Sequence, residues 1–544
     1  MFKLLLLFVS LVIISGCSSY NNIDKSPSLA GEMIDTDSWY NDMIDEVSTL
    51  RVTIPAPNDY NCTSLSDING KERPCTLADV DSDVDATDSY KPVLHVNIQA
   101  DDFVSDPSFM NASFQIKGKS TRRSDQKSYR IKLDSKEDLY KGERTFQLNK
   151  HPYDDSRIRN KLCFDLFKDI PHFASLKTRF YNVEINGENY GLFTHIEKVG
   201  KEYLVNRGWN EDDNLYKAQN FSFINYSDLE INSKGDPVDP DAFDERLEIE
   251  RGKDHTAFKG MLKAVNDSDS DFEELFERYF DRDNYLTWMA VNIVLGNKDT
   301  ISQNFYLYNP QYSETFYFLP WDYDGTLRAI DRYIKWQYGV GNWWGIPLHK
   351  RFLQIEKNRL DLYAMVEKVK NEYITPELIE SRMKYYKSLI TPYITIDPDD
   401  VQDDEWNEEL DILLANMQDS MDAFENDIGH PMPFWIIANY KDGLLSLNWG
   451  KSVDLEGDSI IYRLNISSSP DMSNSFIDED VEEVFTKDKE NIYYEKEMVL
   501  EPGTYYMRVI SREINNPDHY QYAFDKEVRI DGIKQPGVLA FEVK

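Results

Sequence analysis

The hydrophobic positions of this chain change their spacing twice. From residue 92 to about 196 they alternate with polar residues in short runs, the mark of half-buried strands. These runs fall at 92–99, 114–117, 127–133, 178–185 and 190–196. Asn186-Gly187 joins the last two and supplies the positive φ angles of a tight hairpin. One interruption reads as a helix, capped by Asp155-Ser156 and carrying Ile158, Leu162, Cys163, Leu166 and Phe167 on its apolar side. After about Glu202 the spacing turns to three and four, and helices dominate. One starts at Asp283, aligns Leu286, Met289, Ala290, Ile293 and Val294, and stops at Gly296. A short aromatic hairpin follows, with strands at 305–308 and 316–319 around a turn begun by Asn309-Pro310, and helical pattern resumes over 351–423. Past Pro431-Met432-Pro433 the alternation returns, at 445–449, 461–466 and 500–509. The predicted fold class is α+β: a mixed body followed by an all-β sandwich.

Four segments emerge. Residues 1–17 read as a lipoprotein signal peptide: Lys3 precedes an apolar run too short to span a bilayer as a mature helix, and Ser15-Gly16-Cys17 resembles a bacterial lipobox. Acylation at Cys17 would tether the exported protein in the cell envelope, its sole membrane contact; an uncleaved anchor or a plain signal peptide is the alternative. Residues 18–90 form a polar acidic tether and lead-in with one strand-like run at 50–54, part of it an edge of the following domain. Residues 91–430 form the main domain. Residues 431–544 resemble a fibronectin type III sandwich, with Trp449 in its core and Tyr505 near a strand corner. Cys62 and Cys75 bracket a polar loop and are expected to pair in an oxidising compartment. Cys163 reads as a buried thiol. The net charge of −37 argues against nucleic acid or anionic lipid as general partners. With 41% hydrophobic residues the chain has enough apolar side chains for a sizeable core.

The candidate chemistry sits at the aromatic hairpin. Antiparallel neighbours lie about 5 Å apart, so its open end brings Asn304 near Asp322, with Asp299 in the loop feeding the first strand and Asp324-Gly325 just beyond. Oxygen ligands beside a free carboxylate suit Mg²⁺ and a bound phosphate. Protein kinases use this order: an Asp, an Asn five residues on, a hairpin, then an Asp close to a Gly. A solvated hairpin with ordinary turn residues is the plainer reading. The second feature is a reversal of charge. Lys117, Lys119, Arg122, Arg123, Lys127, Arg130 and Lys132 face one acid, Asp125, around a loop holding Gly118 and Ser120. Such a loop between paired strands can cover nucleotide phosphates, or its cations can pair with the protein's own acids. Lys127 shares a strand face with Tyr129, Ile131 and Leu133, and Lys132 lies opposite with Arg130, so the phosphate-binding lysine stays open. Arg157, Arg159 and Lys161 crowd the first helix turns, where the dipole disfavours cations; an anionic partner or salt bridges would account for them. Glu197 ends a strand where a kinase has the hinge between its lobes.

These stretches resemble the CotH kinase-like family. The likeness is carried by 116–122, 127–132, 156–162, Asn186-Gly-Glu-Asn-Tyr-Gly-Leu192 with Glu197, 304–308 and Trp321-Asp-Tyr-Asp-Gly325. It implies an atypical two-lobed protein-kinase fold that uses ATP with Mg²⁺ or Mn²⁺ to phosphorylate Ser or Thr of surface or exported proteins. By position, Asp299 would be the catalytic base and Asp322 the chief metal ligand, with Asn304 and Asp324 assisting. Gly118, Ser120, Arg122, Lys127, Arg130, Lys132 and Glu197 would serve the nucleotide. Lys119 departs from the family, which commonly has Asn after the Gly. A kinase-like surface binding protein without activity is the alternative, favoured by the scarcity of ATP outside the cytoplasm. A polysaccharide-acting enzyme is a third reading, for which no second acid across a cleft can be placed.

Overall fold

A computed structural model describes residues 40, 46–56, 61–66, 72–85, 91–135, 139–328, 340–482, 491–524, 527–530 and 532–544. The lipobox and Cys17 lie outside the described residues. Among the described residues, no helix is long and apolar enough to cross a membrane.

Seven strands close into a barrel: β1 (Val47–Thr53), β2 (Leu94–Ala100), β3 (Ala112–Lys117), β4 (Ser128–Leu133), β5 (Thr145–Asn149), β6 (Thr178–Ile185) and β7 (Glu188–Glu197), in the order β1-β2-β3-β4-β5-β7-β6. Parallel pairing of β1 with β6, Val47 opposite Phe180, shuts the ring and leaves no free edge. The alternation read from the sequence divides inside from outside. Phe114, Ile116, Tyr129, Ile131, Phe146 and Leu148 fill the barrel, while Ser113, Gln115, Lys117 and Arg130 point outward. The segment read as tether and lead-in therefore supplies a barrel stave, and the folded body begins before residue 91. Its Cys75 is disulfide-bonded; the side chain of Cys62, the expected partner, lies outside the described residues. Asn186 and Gly187 take φ angles of 52° and 84° in the β6–β7 turn, as their identity predicted.

Helix α1 (Arg159–Phe167) leans on the outside of β6 and β7, burying Leu162, Phe164 and Phe167 with Phe180 and Ile196. It begins later than the sequence indicated. Arg157 adopts φ 59°, which no helix continues, and Asp154 rather than Asp155-Ser156 caps the start, accepting from the Arg159 N–H at 3.1 Å. A second sheet holds β8 (Asn214–Ala218), β9 (Leu247–Arg251), β10 (Phe305–Asn309) and β11 (Tyr317–Pro320), ordered β9-β8-β10-β11. Behind it lies α2 (Arg282–Val294), capped by Asp281 and buried along every residue from Asn284 to Val294. Helices α3 (Glu356–Lys368), α4 (Pro376–Ile394) and α5 (Asp403–Asp427) are, with α2, the long helices of this body. The remainder, from Ile436 to Val543, is all β. A three-stranded sheet faces a five-stranded one over Trp449, Tyr462, Leu464 and Val509, and Tyr505 Oη donates to the Glu501 carbonyl at 3.0 Å.

Candidate active site

The hairpin of β10 and β11 is in register with Phe305 opposite Pro320, so Asn304 and Asp322 leave its open end together. Both adopt the left-handed region, with φ of 60° and 57°, which Asn and Asp enter at less cost than other side chains. The kink at Asp322 starts a 3₁₀ turn, Tyr323–Gly325, and α1 holds that turn from below. Asn160 Oδ1 accepts from the Tyr323 N–H at 2.7 Å, and Arg159 Nε donates to the Thr326 carbonyl at 3.1 Å. The buried Tyr323 ring packs edge-on against Phe167 at 4.7 Å. Asp299 arrives from the other side. Gly296 ends α2 at φ 56°, and Asn297 Oδ1 accepts from the Asp299 N–H at 3.2 Å. The exposed Asp299 carboxylate then rests on the turn, where a Cβ added to Gly325 would lie 3.0 Å from its Oδ2.

Charge is concentrated here. Burial raises the Asp322 carboxyl to about 6, and repulsion from Asp324 adds to it, against the pull of Lys117, His151 and Lys217. Burial also opposes ionisation of Asp324, but His151, with Nδ1 3.8 Å away, and Arg328 hold that group below its ordinary range. Burial depresses the Lys117 ammonium to about 8, although Asp322 attracts it. Lys117 Nζ donates to Asn149 Oδ1. Lys117 and Lys217 lie 5.8 and 5.6 Å from the centroid of the Trp321 ring. This cluster lies where the outer face of the barrel meets the second sheet. Two further contacts join these two sides, Lys119 Nζ to Gln219 Oε1 and Lys198 Nζ to Glu250 Oε2, both 2.9 Å.

The donor set fits a hard divalent cation. Two carboxylates that repel one another in a partly buried place are relieved by positive charge, and oxygen donors are what Mg²⁺ and Mn²⁺ take. Among the described residues, no group of three His, Cys, Asp or Glu is arranged to hold a metal. Asp322 and Asp324 with the Asn304 amide would leave the other positions to water and phosphate, as Mg²⁺ sites do.

In the basic loop, Arg122 and Lys127 follow the second reading and engage the protein's own groups. Gly118 is required: at φ 97°, a Cβ would sit 2.1 Å from Thr121 Oγ1. Ser120 belongs to the 3₁₀ turn Ser120–Arg123; its side chain lies outside the described residues. Arg122, expected on phosphate, is buried and engaged inside the fold, donating to Asp83 Oδ2 at 2.5 Å and to the Gly118 carbonyl at 2.6 Å. Lys127 donates to the Arg122 carbonyl at 2.6 Å, so it braces the loop. Arg130 lies on the outer face under the influence of Glu250 and Glu248, and Lys132 is exposed beyond it. Glu197, expected near the nucleotide, is instead buried in a two-point ion pair with Arg207, both contacts 3.0 Å. The cations at the start of α1 also find their anions within the chain: Arg157 with Asp399, Arg159 with Asp154 and Glu409, Lys161 with Asp165. The cations that do reach the acidic turn are Lys117, Lys217 and Arg328. Lys117 was visible in the sequence as the outward end of an alternating strand; Lys217 carried no signal beyond its place in a short run.

The family model for the CotH kinase protein matches residues 114–423. Inner spore coat protein H of Bacillus subtilis is 26% identical over 338 residues, covering 60% of this chain and 86% of its own. Invasin CotH2 of Rhizopus delemar is 26% identical over 236 residues, 40% of this chain and 38% of its own. Among solved structures, the Helicobacter pylori proinflammatory kinase CtkA aligns over 55% of this chain and 94% of its own. That alignment has 10% identity and a TM-score of 0.23, a likeness too slight to carry an argument.

Proposed function

Because the chain belongs to the CotH kinase protein family, we propose that this kinase-like protein transfers the γ-phosphate of ATP to Ser or Thr of surface or exported proteins, from a lipid tether in the cell envelope. The observation that carries the reading is the meeting of Asp299 with the Asp322–Gly325 turn, opposite Lys117. Phosphoryl transfer asks a protein chiefly for positioning and charge neutralisation. Asp299 is exposed and faces the turn, so it orients the acceptor hydroxyl and takes its proton. Lys117 and Lys217 balance phosphate oxygens from the barrel and from the second sheet, with the Trp321 ring beside both. Asp322, Asp324 and Asn304 would hold Mg²⁺ or Mn²⁺, which when bound supplies charge neutralisation at the phosphates. Glu197 and Arg207 fix the strand end and touch no reactant.

Incubation of the purified protein with labelled ATP and Mg²⁺ or Mn²⁺, followed by mapping of modified residues, tests the proposal. Asp299→Ala should lower transfer by about 10²–10⁴-fold, and Asp322→Ala should abolish it, both with folding retained. Undiminished transfer by the two variants removes the site assignment. If the wild type neither transfers phosphate nor melts higher with ATP and metal, the inactive binding protein is the correct reading.

A further inference from the structure

A concavity lies away from the acidic turn, where α3 and the end of α5 meet the loop that follows the sandwich strand Leu444–Gly450. Its volume is about 620 Å³, and none of the candidate active-site residues line it. The apolar part of the lining includes Leu360, 64% exposed, and Tyr363, 41% exposed. Around them stand four acids, Glu356, Glu425, Asp454 and Glu456. Arg359 is the cation in the lining, and its guanidinium is committed to the Leu353 and Leu455 carbonyls at 2.8 and 2.9 Å. Lys370 approaches Glu425 only to 3.9 Å.

Asp454 adds an independent observation. It is 8% exposed, and Oδ1 accepts three backbone N–H groups, from Glu456, Gly457 and Asp458, at 2.8, 2.9 and 3.1 Å. Asp454 lines the groove, and its other oxygen, Oδ2, is buried without a hydrogen-bond partner. A buried acceptor without a donor is costly, and an ammonium or guanidinium group would supply one.

We infer that this groove binds a short basic segment of a partner protein, lysine or arginine side chains meeting the four carboxylates and an apolar side chain resting on Leu360 and Tyr363. Charge complementarity selects this occupant, since an acidic or neutral segment would leave the carboxylates uncompensated. Helix α5 connects the groove to the site. Asn416 on α5 donates to the Leu327 carbonyl at 2.9 Å, just past the acidic turn, and Ser420 packs against Gly296. Twelve residues on, at Ile428, the chain borders the groove, about 18 Å along the helix axis. The partner is then a kinase substrate whose acceptor hydroxyl is separated from its basic segment by at least about five or six extended residues. That assignment rests on the kinase reading, whereas binding does not.

Binding is measured without ATP, so the two can fail separately. The probe is a fluorescein-labelled hexapeptide, Lys-Leu-Lys-Lys-Leu-Lys, followed by anisotropy on the full protein. Glu356→Lys with Glu456→Lys should weaken binding at least tenfold, and Leu360→Ser several-fold. Glu245→Lys with Glu274→Lys, the same change of charge on exposed acids elsewhere, should weaken it less than twofold. These substitutions are at exposed positions, and melting curves confirm that each variant is folded. Equal loss in the two double variants means unspecific attraction to an acidic protein and overturns the inference, as does unchanged binding in the groove variants.

Discussion

Asp322 and Lys117 are each held where their charge is poorly solvated, and each predicts a pH dependence. The Asp322 carboxyl is raised from 3.8 to about 6. A carboxyl raised by folding contributes stability that is fully present below pH 3.8 and lost as the pH rises through 6. In EDTA at pH 7, Asp322→Asn should therefore melt higher than the wild type, each kcal/mol regained amounting to about 2–4 °C. The difference should shrink as the pH falls from about 6 and be gone below about 4; a variant that melts lower at pH 7 contradicts the electrostatics described for the turn. Lys117 is depressed from 10.5 to about 8, so its charge is present below that pH and lost above it. ATP affinity measured by titration calorimetry should decline as the pH climbs from 7 to 9. Lys117→Met should lower affinity about 10–100-fold, the worth of a charge-assisted contact, and flatten that decline.

At the scale of elements, what could be read from the sequence was whatever depends on near neighbours. Asn186-Gly187 dictates a turn by its own backbone preference, and the aromatic hairpin with Asp-Tyr-Asp-Gly keeps its acids together through local pairing. Closure of the barrel was not legible, because it depends on Val47 meeting Phe180 and short apolar runs do not encode their distant partners. The same limit misdirected the basic residues. Alternation separated the faces of β3 and β4, but nothing local said that the outward face at Lys117 would meet the acidic turn. Arg159 pairs with Glu409 and, nearby, Lys150 with Asp399, each about half the chain away, so the sequence around Arg159 left an external anion open beside salt bridges. Burying such cations against their own acids is tolerable where further hydrogen bonds satisfy both partners. Lys150, which also donates to the Tyr190 and Leu192 carbonyls, meets that condition.

In the whole molecule, the helical body and the C-terminal sheets share apolar contacts. The largest core runs from Ile158 to Phe524 and takes in Met432 and Leu455 on its way, while the sandwich keeps its own core around Trp449. A chain ended at residue 430 would uncover the surface that Leu455 and Phe524 now bury. Losing two such side chains costs about 3–6 kcal/mol. Urea unfolding of the truncated protein should show the remaining body less stable by that order, and an unchanged midpoint would mean that the sandwich is only appended. The barrel is fastened at another point: Asn189 and Gln126 donate to the carbonyls of Asp397 and Pro398, beside the buried Asp399.

The left-handed backbone at Asn304 and Asp322 bears on how relatives should be compared. Most side chains are strained at those two angles, so descent alone tends to preserve small amide and acid residues there, whether or not phosphate is ever moved. Asp299 carries no such backbone constraint, its φ being ordinary. In a lineage drifting away from chemistry, Asp299 is the position free to vary first, and its identity is the better witness to which descendants still work.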